Sequence, residues 1–93
     1  LYLNTATAEL SCGGQAGTLP RLEFQLMELL MRSRNVCLST EDILTRVWGY
    51  DTDAEIGIVW VYISYLRKRL AALGSRVSLR ARRGIGYLLE DSV

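Results

Sequence analysis

Val59, Ile63, Leu66, Leu70 and Leu73 recur at intervals of four, three, four and three residues. No other feature constrains the fold as much. An α-helix turns about 100° per residue, so with Val59 at zero the other four fall within about 40° of it. A helix over about Glu55 to Leu73 with one apolar stripe must lie on a core that other elements help to build. Gly74 follows where a left-handed C-cap belongs. The opposite face holds Ile58, Val61, Tyr65 and Lys68, with Ser64 and Arg69 at its edges. That face cannot be buried on the same core, yet it mixes apolar, aromatic and cationic side chains. It suits a partner with negative charge and with stackable or methyl-bearing surface. The DNA major groove has phosphates along its walls, base edges and thymine methyls on its floor, and room for an α-helix. A membrane surface fits less well, because one side of the helix already packs on the core. Trp60, Arg67 and Ala71 form a third face. For Trp60 the simpler reading is partial burial against the loop after Trp48, and a protein contact is the other.

The rest of the chain supplies the layers such a helix needs. Leu1 and Leu3, then Ala8, Leu10 and Cys12, then Gly17 to Leu19 read as short strands, with a turn at Gly13-Gly14. They predict a small antiparallel sheet. Pro20 suits the first turn of a helix over Arg21–Arg32. That helix has two apolar lines: Leu22, Leu26, Leu29 and Leu30 on one, Phe24, Met27 and Met31 on the other. It should therefore sit between two layers, and its methionines read as core. Ser39 can cap a second helix, with Asp42 in the capping-box position. Ile43, Leu44, Val47 and Trp48 make that helix's buried face, and residues 49–53 an exposed loop. Residues 77–82 alternate as a strand, Gly84 and Gly86 bracket a turn, and Tyr87 resumes a strand. The chain thus closes on a hairpin with Arg82-Arg83-Gly84 near its tip.

A net charge of +1 conceals an asymmetry. Residues 1–63 carry four arginines against eight acids, a balance of −4, whereas residues 64–93 carry seven basic residues against two acids, a balance of +5. A basic third beside an acidic body suggests a polyanion on one face. No apolar run approaches the roughly 20 residues that span a bilayer. The chain opens on Leu1 without a basic n-region or an apolar h-region, which suits an excised domain of a cytoplasmic protein. There is no histidine, and Cys12 and Cys37 lie far apart. They read as reduced, packed thiols, and no metal or cofactor is expected. No nucleophile elbow or phosphate-binding glycine loop is present either, so an enzyme is not expected.

Helix, helix, loop, helix and hairpin, in that order, describe a winged helix. The segments LPRLEFQLMELL, ILTRVWGY, VYISYLRKRL and RRGIGYLL resemble, in order and spacing, the effector domain of OmpR/PhoB-type response regulators. The resemblance covers nearly the whole chain, so residues 1–93 read as one domain. It implies an α+β winged helix-turn-helix with a four-stranded N-terminal sheet, three helices and a C-terminal β-hairpin wing. It further implies sequence-specific binding of double-stranded DNA, as the output half of a two-component transcriptional regulator whose receiver domain is absent here.

By that resemblance Ile58, Val61, Ser64 and Tyr65 face bases, while Tyr62, Arg67 and Trp48 lie near phosphates. Arg83 matches the wing arginine at the minor groove. Lys68, Arg69, Arg80 and Arg82 add positive charge, and Tyr87 in the hairpin completes the set. The loop 49–56, with Tyr50, Asp51 and Asp53, matches one that can face RNA polymerase; Trp60 joins these as a protein-contact candidate. A tandem dimer on DNA is expected when a receiver is attached. The chain also departs from the family pattern. Gly57, Trp60 and Tyr62 stand where Arg, Asp and His are usual, Ala81 replaces a phosphate-binding threonine, and Pro20 replaces a capping one. These losses motivate a second reading, a degenerate winged helix that serves as a protein-interaction module.

Overall fold

The computed structural model describes the backbone of residues 1–91 and the side chains of residues 1–90. The elements run β1 (Tyr2–Asn4), β2 (Glu9–Cys12), β3 (Gln15–Thr18), α1 (Arg21–Arg32), β4 (Leu38–Ser39), α2 (Thr40–Trp48), α3 (Gly57–Ala72), β5 (Val77–Arg82) and β6 (Gly86–Asp91). This is the α+β winged-helix order read from the sequence, with two differences.

The first difference is the N-terminal sheet, which has three strands among the described residues, in the order β1-β2-β3, rather than the four the resemblance implies. Leu10 pairs with Leu3 and Gly17 and is 1% exposed. Asn4 shapes the turn between β1 and β2. Its Oδ1 accepts from the amides of Ala6 (2.9 Å) and Thr7 (3.2 Å), an Asx-type arrangement that a short polar side chain can make with its own backbone.

The second difference is β4, whose two residues are too few to show an alternating pattern. Leu38 pairs with Tyr87 and Ser39 with Gly86, so the C-terminal hairpin is two strands of a three-stranded sheet, β4-β6-β5. This accounts for Gly86 better than a turn does. A Cβ there would collide with the Leu38 carbonyl oxygen, so only glycine lets β4 approach this closely.

Each helix follows from its sequence. Pro20 sits at the cap position of α1 itself, and its carbonyl accepts from Phe24 at 2.8 Å. Leu26, Met27 and Leu30 are fully buried, while Leu22, Phe24, Leu29 and Met31 are half-buried. Helix α1 touches α2, α3 and β6, and residues of both its apolar lines belong to the core or pack against it. Ser39 Oγ accepts from the Asp42 amide at 3.0 Å and caps α2. The Asp42 carboxylate lies 3.9 Å from Arg46 on the next turn.

Helix α3 begins two residues later and ends one residue earlier than its apolar period suggests. Ile58 and Val59 donate to Glu55 and Ile56, i→i+3 bonds that tighten the first turn. At the far end Gly74 has φ +67°, Ser75 donates to Leu70 and Gly74 to Ala71. Those two bonds make a Schellman motif, which satisfies carbonyls the helix would otherwise leave bare. Val59, Ile63 and Leu66 are 0% exposed and Leu70 is 4%. Burying each contributes about 1.5–3 kcal/mol, which anchors one side of α3 and leaves the other outward.

Candidate nucleic-acid interface

The stripe that anchors α3 decides what the helix presents. Val61 and Ser64 are half-exposed, Tyr65 is 45% exposed and Lys68 is exposed. These four share the side opposite the stripe. Ile58, expected among them, is half-buried and packs partly on the core.

An aromatic row flanks this face. The ring of Trp48, at the end of α2, meets Tyr62 edge-on at 5.2 Å and 82°; Tyr62 meets Tyr65 at 5.3 Å and 63°. Such pairs contribute about 0.5–1.5 kcal/mol each beyond their burial. Trp48 and Tyr62 also pack on the core, so the row ties the exposed Tyr65 to the interior.

The basic residues do not act as one patch. Lys68 points outward. Arg67 is exposed, but its Nε donates to the Leu79 carbonyl at 3.2 Å and ties α3 to β5. Arg69 turns toward α1, where its Nε donates to Glu23 Oε1 at 2.7 Å and its Nη2 to Oε2 at 3.4 Å. Glu23 is 6% exposed. This ion pair holds Arg69 away from the side of Val61 and Tyr65, so the edge position expected for it does not translate into charge on that face. Arg80 and Arg82 on β5 share Glu90 of β6, at 3.4 and 3.1 Å. Arg83, at the turn of the hairpin, is exposed. Tyr87 is half-buried and packs on the core, paired with Leu38 and Ala81.

Trp60 corrects an expectation. It is 59% exposed rather than covered by the loop after Trp48, and Ile56, one turn earlier, is 47% exposed. In that loop Tyr50 is 93% exposed, and Asp51 and Asp53 are exposed beside it.

Two residues that matter here escaped the sequence reading. Glu23 lies 46 positions from Arg69, and no local pattern links them. Glu90 could have been found from the hairpin register, because it pairs with Ser78 and so lies diagonal to Arg80. Among the described residues no group of histidine, cysteine, aspartate and glutamate could hold a metal ion. Among the same residues no helix is long and apolar enough to cross a membrane.

Residues 14–89 match the family described as "Transcriptional regulatory protein, C terminal". The chain is 42% identical over 78 residues to the response regulator ArlR of Staphylococcus saprophyticus subsp. saprophyticus, covering 84% of this chain and 36% of that protein. It is 37% identical over 93 residues to the heme response regulator HssR of Staphylococcus epidermidis, covering 100% of this chain and 42% of that protein. The chain thus spans less than half the length of these relatives. The crystal structure of the DNA-binding domain of Bacillus subtilis CssR superposes with a TM-score of 0.83 at 25% identity, covering 95% of this chain and 97% of that one.

Proposed function

We infer, because the chain belongs to the family of transcriptional regulatory protein C-terminal domains, the OmpR/PhoB-type effectors, that it binds double-stranded DNA with sequence preference. It would do so as the output domain of a two-component response regulator. The observation that carries this reading is the two-sidedness of α3. Its Val59–Ile63–Leu66–Leu70 side is buried, and its Val61–Ser64–Tyr65–Lys68 side faces out. The major groove is about 12 Å wide and admits a helix with its side chains. With α3 seated there, the hairpin turn falls beside the duplex, where Arg83 meets the backbone or the minor groove. The similarity to a solved DNA-binding domain supports the DNA-binding reading. A chromosomal regulator works in the cytoplasm, and we assign this chain there.

The test is a duplex titration across salt. From the sequence, about four neutralised phosphates would give a slope of log K against log salt near −3.6. The ion pairs lower that count. Arg69 is engaged by Glu23, and Arg80 and Arg82 share one carboxylate. About three effective contacts, from Lys68, Arg67 and Arg83, would give a slope near −2.7. A folded domain that binds no duplex at low salt would overturn the reading.

Trp60 and Tyr50 favour a second role beside the first. An indole 59% exposed and a phenol 93% exposed are of the types enriched at protein-binding hot spots. RNA polymerase is the proposed partner for the loop 49–56, and a second copy, once a receiver is attached, the partner for tandem binding on DNA. If Trp60→Ala abolished a protein contact while Arg83→Ala left duplex binding unchanged, the interaction role would be the principal one.

A further inference from the structure

From Gly57 to Leu66, more than half its length, α3 contains no charged side chain and no amide side chain. This is unexpected for a helix that would read base edges. Guanine is usually recognised by a bidentate Arg or Lys on O6 and N7, and adenine by Asn or Gln on N6 and N7. Neither device exists on this stretch. The nearest cations do not replace them. Arg67 is bonded to Leu79 and Arg69 to Glu23, and Lys68 lies two turns beyond Val61.

What the stretch does present is alkyl and hydroxyl. The one apolar feature on the floor of the major groove is the thymine C5 methyl. Val61, half-exposed at the centre of the outward face, can pack on it. Tyr65 and Ser64 offer single hydroxyls, which donate or accept and so discriminate weakly between bases. Tyr65 is held by Tyr62, and Tyr62 by Trp48, so its hydroxyl approaches the groove from one side of Val61.

We propose that Val61 is the specificity-determining residue of α3, and that it selects sites by thymine methyl groups rather than by guanine edges. The preferred sequences are therefore thymine-bearing at the base pairs under residues 57–66 and indifferent there to the guanine N7. This rests on the DNA-binding reading above. Each contacted thymine contributes about fourfold in affinity, the worth of burying one methyl-sized group.

The test uses base analogues that alter the major groove alone. A duplex selected from a random pool is resynthesised with deoxyuridine for thymidine, which removes the methyl, and separately with 7-deazaguanine for guanine, which removes N7. The expected result is about fourfold weaker binding per contacted thymine and less than a twofold change with 7-deazaguanine. With Val61→Ala, checked for folding by circular dichroism, the deoxyuridine penalty should shrink, because the two γ-methyls are gone and only the β-carbon is left to meet the thymine methyl. Binding weakened by 7-deazaguanine as much as by deoxyuridine overturns the proposal, as does a deoxyuridine penalty undiminished in Val61→Ala. A pool from which no duplex is retained overturns the DNA-binding reading itself, so the two failures are told apart.

Discussion

Arg69 on α3 and Glu23 on α1 meet at 2.7 Å, with Glu23 only 6% exposed and the Arg69 side chain 36% exposed. The pair clamps the outward helix to the first helix and keeps one cation of the Arg67-Lys68-Arg69 run off the side of Val61 and Tyr65.

Arg69 is thus expected to matter for stability and not for DNA. Removing one partner of a buried pair costs about 3–5 kcal/mol when the survivor is left unpaired. Water reaches Arg69, so Glu23→Ala should cost less, about 1–3 kcal/mol. Denaturant unfolding checks this. Arg69→Ala strands the buried Glu23 carboxylate and should lower stability more, by about 3–5 kcal/mol, while leaving the salt slope of duplex binding unchanged. A slope shallower by about one would place Arg69 on a phosphate instead.

Glu90 restrains the wing. It accepts from Arg82 and forms an ion pair with Arg80. Glu90→Gln should release two guanidinium groups, tighten duplex binding several-fold at low salt, and steepen the salt slope by about one for each arginine that then reaches a phosphate. Exposed pairs contribute only about 0–1 kcal/mol, so thermal unfolding should barely change. Unaltered binding would show that neither arginine reaches the duplex.

Gly57 stands where the family usually has Arg, and it is exposed with nothing within 4 Å of an added Cβ. Gly57→Arg should therefore fold. The gain in helix propensity, at most about 1 kcal/mol, is partly offset by a cation at the positive end of the helix. Duplex affinity should rise about three- to tenfold at low salt through one added phosphate contact, with a slope steeper by about one. Filter binding at several salt concentrations would show it.

Gly86 is required by packing. A Cβ would collide with the Leu38 carbonyl, and backbone cannot yield as a flexible side chain can. Gly86→Ala should destabilise by about 3 kcal/mol and detach β4 from the hairpin. The check is loss of amide protection at the β4–β6 pairing.

How much of this was legible depended on the range of each signal. The α3 stripe, the Ser39 cap and the Gly74 C-cap lie within one or two turns of their partners, and the sequence shows them plainly. So does the three-strand start of the chain. β4 was hidden because two residues cannot display a period, and Gly86 then looked like turn chemistry. Trp60 was expected to be partly buried against the loop after Trp48, yet it is 59% exposed. The cations on α3 looked alike in sequence. Their separate fates, on Leu79, on Glu23 and outward at Lys68, are set by contacts between elements far apart along the chain. The fold was thus readable, and the outward face of α3 with it, but the charge available to a polyanion was not.

The most direct measurement is an amide chemical-shift map of the chain with and without a bound duplex. The account predicts the largest changes at Val61, Ser64, Tyr65 and Lys68 on α3 and at Arg83 and Gly84 on the wing, with β1 to β3 nearly still. A duplex that binds while shifting α1 or the N-terminal sheet, and leaves Val61 and Tyr65 unmoved, would contradict it.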